Sequence, residues 1–189
     1  MDAIDAIQRR TSVRRFRPEP VARETIERLL DCAVRAPNHK LTEPWRFAVL
    51  TGAAVGRFAE IRGRDRLERH ADPSSPEARA AAEKMRKEVA ETPALVVVMC
   101  AVSADDNTRE EDYAAAMMAT STFMIAAGSL GLGTFLKTGS IMRHPDVQAL
   151  VGLQEGFRIV GVVSLGIPVE PAAPRKRRPA AELTRWIEG

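Results

Sequence analysis

Aromatic side chains are scarce in this chain of 189 residues, with one tyrosine, two tryptophans and six phenylalanines. A protein that stacks nucleic-acid bases interleaves aromatics with a clustered basic surface. Here 28 lysines and arginines are offset by 25 acidic residues, a net charge of +3, so nucleic acid is not expected as a partner. Histidine is rarer still: His39, His70 and His144 lie far apart, and neither an HExxH nor a CxxC spacing occurs. A metal site is therefore not expected. No serine stands in a GxSxG elbow, which removes that route to nucleophilic catalysis. The two cysteines, Cys32 and Cys100, sit in the apolar runs LLDCAV and VVVMCAV. They read as reduced, buried thiols of a cytoplasmic protein. The N-terminus MDAIDAIQRR lacks the apolar stretch of a secretory signal.

One long uncharged run exists, from Tyr113 to Leu136. At about 20 residues such a run can span a bilayer. This one is dominated by Ala, Gly, Ser and Thr, and Gly128, Gly131 and Gly133 interrupt it. It reads instead as a closely packed buried helix, and no membrane association is expected. A helix so apolar on every side of so short a chain implies that a second subunit covers part of it.

Periodicity gives a coarse map. Ile4 and Ile7 mark a short first helix over residues 1–10. Ile26, Leu29, Leu30, Ala33 and Val34 mark a helix over 24–36 that Pro37 ends. NHKLTEP is a loop, WRFAVL a short strand, and 53–61 a helix. Residues 62–75 read as charged and irregular. Residues 77–91 read as a polar surface helix that could act as a lid. ALVVVMCAV, over 94–102, is a continuous apolar run and so a central strand. The buried helix starts at Asp112, behind the acidic run Glu110–Asp112, and ends at Leu130. Short elements follow at 133–136 and 146–151, then the strand FRIVGVVSLGI over 157–167. The tail is proline-rich, with a helical tendency near Leu183 and Trp186. The regular βαβ alternation of a doubly wound sheet is missing. The pattern is α+β, a single domain over 1–189 with a C-terminal arm over 170–189.

Four segments could carry chemistry. RRTSVRRF places four arginines around Thr11 and Ser12, a set that suits a phosphate. It equally suits the C-terminal end of a helix. RAPNHK brings Arg35 and His39 to a loop, or forms a polar connection anchored by Trp45. GSLGLG, Gly128 to Gly133, follows a helix, whereas a dinucleotide fingerprint follows a strand. It is a helix stop, or a place where a flat ligand meets backbone. PRKRRP is a solvated basic end, a nucleic-acid patch, or a second arm for the same phosphate. As a set, the basic segments could also belong to a non-catalytic binding module.

Taken in order, RTSVRRF, RAPNHKLTEPWRF, GLGTFLKTG, VGVVSLGIP and KRRPAAEL resemble the nitroreductase family of flavin enzymes, in its compact single-domain branch. The resemblance implies a central mixed or antiparallel sheet flanked by helices, and an intertwined homodimer with FMN at the subunit interface. It implies that Arg10, Thr11 and Ser12 grip the FMN phosphate, with Arg14 adding to the field. Thr11 stands where the family more often has Arg or His. The resemblance assigns flavin contacts to Arg35, His39, Leu136, Lys137 and Thr138. It assigns the nicotinamide nucleotide to Ala126, Ala127, Gly128, Ser129, Leu130 and Gly131. Arg175 and Arg177 match C-terminal phosphate ligands, and the arm would pack on the partner. The implied reaction passes reducing equivalents from NAD(P)H to a nitroaromatic, quinone or similar acceptor by a ping-pong mechanism. The flavin carries the chemistry and no side chain is a catalytic acid or base. Dehalogenation, dehydrogenation or flavin breakdown are alternatives on the same site.

Overall fold

Strand β2 (Ala94–Ala101) buries seven of its eight residues, as its unbroken apolar run requires. Strands β1 (Trp45–Thr51), β3 (Gly133–Lys137) and β4 (Phe157–Gly166) complete an antiparallel sheet of order β1-β2-β4-β3. The computed structural model describes residues 2–170 and 176–189. Side chains alternate across β2. Val96, Val98 and Cys100 face one layer, with helices α2 (Arg23–Ala33) and α5 (Asp106–Ser129). Leu95, Val97 and Met99 face the other, with α3 (Ala53–Glu68), α4 (Pro76–Ala90) and α6 (Pro145–Leu150). The first helix, α1 (Ala3–Arg9), packs near α5.

Three expectations change. First, α3 continues through the charged stretch to Glu68. Its charges are partnered along the helix: Asp65 meets Arg62 at 3.3 Å and Arg69 at 2.8 Å, the i,i+3 and i,i+4 spacing of neighbours on a helix surface. Gly63 gives α4 a close approach, since a Cβ there would stand 3.3 Å from that of Arg86. Second, α5 begins at Asp106, not Asp112, because Asp105 caps it by accepting the Thr108 N–H at 2.8 Å. Third, α5 is not buried all round. Tyr113 is 39% exposed, with Arg158 stacked over its ring at 5.1 Å, and Met118 is 41% exposed on a stripe with Ala114 and Ser121. Ile4 and Ile7 of α1 are exposed as well. In the tail, Leu183 lies in a 3-10 turn (Ala180–Leu183), while Trp186 lies beyond it, 81% exposed. No helix among the described residues is long and apolar enough to cross a membrane, and none of their His, Cys, Asp or Glu side chains form a metal-binding group. Cys32 and Cys100 are free thiols.

The segment after α1 matters most for function. It leaves the helix extended and runs beside β3: Ser12 bridges Thr134, and the Val13 N–H donates to the Thr134 carbonyl at 2.9 Å. Arg17 N–H then donates to the Ile167 carbonyl at 2.8 Å, beyond the end of β4. Gly133 permits this passage, because a Cβ there would stand 2.8 Å from that of Val13. Residues 12–17 are thus fixed against two strands rather than hanging as a loop.

Candidate active site

Two cavities flank the fixed segment. The first, about 480 Å³, lies between α1, the C-terminal end of α5 and the start of β3. Arg9, Arg10, Thr11 and Arg17 line it, with Gly128 and Gly131. None of the three arginines has an ion-pair partner among the described residues. Both readings of Arg10 hold: its backbone caps α1, donating to the Ala6 carbonyl, while its half-buried side chain lines the cavity. Three uncompensated guanidinium groups with a hydroxyl suit a multiply charged anion.

The second cavity, about 400 Å³, lies between the β3 edge of the sheet and helices α3 and α4. Arg14, Leu136, Lys137 and Thr138 line it. Arg14 stacks its guanidinium over the Phe135 ring at 4.7 Å, and the Lys137 ammonium lies 5.8 Å from the same ring. Burial pushes the Lys137 ammonium down from its ordinary 10.5 to about 8, with the nearby Arg62 as the next cause. Arg62 is lowered in turn, first by burial, although Asp65 opposes this. The site therefore holds cations at a cost that an incoming negative charge would offset.

Arg62, Glu88, Thr92 and Ser164 also line this second cavity, and sequence reasoning missed them. The first two lie in segments that read as solvated. A signal existed in Met85, Val89 and Thr92, whose spacing marks one inward stripe of α4. Ser164 is the lone hydroxyl in the apolar run of β4. It is 1% exposed, and among the described residues its oxygen is the one buried side-chain polar atom without a hydrogen-bond partner.

The remaining expected residues lie elsewhere. Arg35 is exposed just beyond α2, and His39 sits in the next loop, where its Nδ1 meets Glu111 Oε2 at 2.6 Å. Thr42 beside it donates to Asp112 Oδ1 at 2.7 Å. These contacts are at the N-terminal end of α5. The glycines of the first cavity are at its C-terminal end, about 25 Å away at roughly 1.5 Å per residue. The loop is tightly bent, with Lys40, Leu41 and Glu43 all at positive φ. Ala126, Ala127, Ser129 and Leu130 share the glycine-rich helix end, but Gly128 and Gly131 are the two that line the cavity. Arg177 is exposed in the tail, and Arg175 lies outside the described residues.

The family model described as "Nitroreductase family" matches residues 7–167. The chain belongs to the nitroreductase family. It is an oxidoreductase with the α+β fold of that family. YfhC of Bacillus subtilis, provisionally named an NAD(P)H nitroreductase, is 28% identical over 93% of this chain and 89% of its own. A nitroreductase-like family protein from Bacillus cereus superposes with a TM-score of 0.83 at 29% identity, covering 100% of this chain and 97% of that one. The nitroreductase NfnB of Sphigopyxis sp. strain HMH, titled FMN and NADPH-dependent, shares the fold with a TM-score of 0.81 at 18% identity over the whole of both chains.

Proposed function

We propose that this member of the nitroreductase family binds FMN, takes reducing equivalents from NAD(P)H, and passes them to a nitroaromatic, quinone or similar flat acceptor in two half-reactions at one site. It works as a homodimer whose subunits each supply part of that site, with the arm over 170–189 packed on the partner. The observation that carries this reading is the two cavities beside residues 10–17, one lined by arginines without ion-pair partners among the described residues and the other by Lys137 and Phe135.

The residues fit FMN. A phosphate needs charge-assisted donors, and Arg10 and Thr11 offer them beside Arg9 and Arg17, whereas Ser12 bridges Thr134 and lines neither cavity. A flat ring system needs apolar walls with a few polar atoms, and the second cavity has Phe16, Met85 and Phe135 among cations and hydroxyls. When bound, FMN supplies the hydride chemistry of both half-reactions. Lys137, which lines this cavity, would supply positive charge to a reduced, anionic ring and so favour reduction. The apolar walls exclude water and strengthen that interaction. No side chain has to deliver a proton before hydride transfer. Arg35 and His39 reach the site from the partner subunit, because in one chain they stand at the far end of α5.

The test is direct. Purified protein is yellow, anaerobic NAD(P)H bleaches it, and acceptor restores the colour. Initial rates against both substrates give parallel double-reciprocal lines. A colourless protein contradicts the cofactor, and intersecting lines contradict the shared site. Reduction of the flavin with negligible turnover of nitroaromatics and quinones assigns another reaction to the same cofactor.

A further inference from the structure

We propose that Ser164 is a cofactor-binding residue: its hydroxyl, in the wall of the Lys137 cavity, hydrogen-bonds a heteroatom of the flavin ring system. The inference rests on the FMN reading above and adds a contact that it does not require.

Ser164 stands in the interior of the sheet. It pairs with Leu95 of β2 on one side and Phe135 of β3 on the other. The neighbouring backbone groups are committed to those two ladders, which leaves its side chain without a local partner. A buried hydroxyl in a native protein almost always has one, and leaving it unmade carries a desolvation cost. The oxygen lacks a partner, but it lies in the wall of a cavity rather than in closed core. A missing partner beside open space points to a ligand.

The chemistry of the two cavities indicates which part of FMN this is. The phosphate is doubly charged and matches the arginine-lined cavity. A neutral hydroxyl in the wall of a cavity that Thr92 and Lys137 also line suits a weakly charged polar edge. The flavin ring carries carbonyl acceptors and an N–H donor, and serine can serve either. Val at this position would pack equally well in the strand, as Val160, Val162 and Val163 do elsewhere in β4. The hydroxyl therefore has no evident packing role.

The test compares Ser164→Ala and Ser164→Thr with the wild type. Each apoprotein is titrated with FMN by flavin fluorescence, its bound spectrum is recorded, and its melting temperature is measured without flavin. Loss of one neutral hydrogen bond should weaken FMN binding of Ser164→Ala roughly 3- to 10-fold and shift the long-wavelength flavin band. Its apoprotein should melt no lower than wild type, because an unsatisfied buried group has been removed. Ser164→Thr, which keeps the hydroxyl, should retain the wild-type band. Wild-type affinity and spectrum in Ser164→Ala would overturn the assignment and leave a trapped water as the partner. A fall in affinity that tracks a lower melting temperature, without recovery in Ser164→Thr, would also overturn it in favour of a structural role. Failure of the wild type itself to bind FMN would sink this inference together with the reading beneath it.

Discussion

The two ends of α5 differ in how complete they are. At the N-terminal end the polar groups are already satisfied: His39 meets Glu111 and Thr42 meets Asp112. Neither of the two cavities of the site reaches His39 or Arg35. At the C-terminal end the reverse holds. A cavity is open there, and three arginines lack carboxylate partners among the described residues; across β3, in the second cavity, burial weakens the grip of Lys137 on its proton. Between the two ends runs an exposed stripe with Ala114, Met118 and Ser121. One end has contacts already made, while the other has ligand space and cations without carboxylate partners among the described residues. A two-fold arrangement that covers the stripe with its own copy, helices antiparallel, brings the N-terminal end of one subunit beside the C-terminal end of the other.

The largest expected effect comes from the stripe itself. Met118→Glu places a charge where the proposed partner packs, at a cost of several kcal/mol. Sedimentation should show a monomer, and flavin should be lost with the dimer. A monomer that keeps FMN would break the link between the two ends. Next in size is Arg10→Ala. A charge-assisted contact contributes about 1.5–3 kcal/mol, so FMN binding should weaken roughly 10- to 150-fold with the dimer intact. Unchanged occupancy would detach the arginine-lined cavity from the cofactor. The smallest effect is a pH dependence. In the apoprotein Lys137 loses its proton near pH 8, whereas an unfolded lysine keeps it to about 10.5. The unfolded chain binds more protons between those values, so apoprotein stability should rise across that window. A bound cofactor that favours the ammonium form reverses the sign: FMN affinity should fall as pH climbs past about 8. Lys137→Met should flatten both trends, and a wild-type affinity that is level from pH 7 to 9 removes the charge role of Lys137.

How much was legible in the sequence follows the same division. The apolar runs of β2 and β4 and the stripe of α2 could be read directly, because burial on both faces or on one leaves a pattern. Arg10–Ser12 left two readings open and Leu136–Thr138 came only through the family resemblance; the structure sets Arg10 and Thr11 in one cavity and Leu136, Lys137 and Thr138 in the other. The continuation of α3 through Arg62–Glu68 was not, because the signal is a set of i,i+4 ion pairs within a stretch of low hydrophobicity. Arg62 and Glu88 were missed for a related reason: a charged residue on a polar helix looks solvated until the tertiary structure turns it inward. Ser164 was hidden by its neighbours, as one hydroxyl in an apolar strand reads as tolerated rather than placed. The apolar character of α5 was legible, but which of its faces stays open in one chain was not, because Ala, Thr and Met look the same to a core and to a partner subunit.

The sharing of one site between two subunits is tested most directly by complementation. Arg10→Ala subunits and Arg35→Ala/His39→Ala subunits carry different affinity tags, and heterodimers are isolated through both. Each variant alone binds FMN weakly. A shared site predicts that the heterodimer contains one pocket with every residue intact and one with both defects, and so binds one FMN at wild-type affinity. A heterodimer in which both sites stay weak would place Arg10, Arg35 and His39 in service of the same subunit and contradict the shared site.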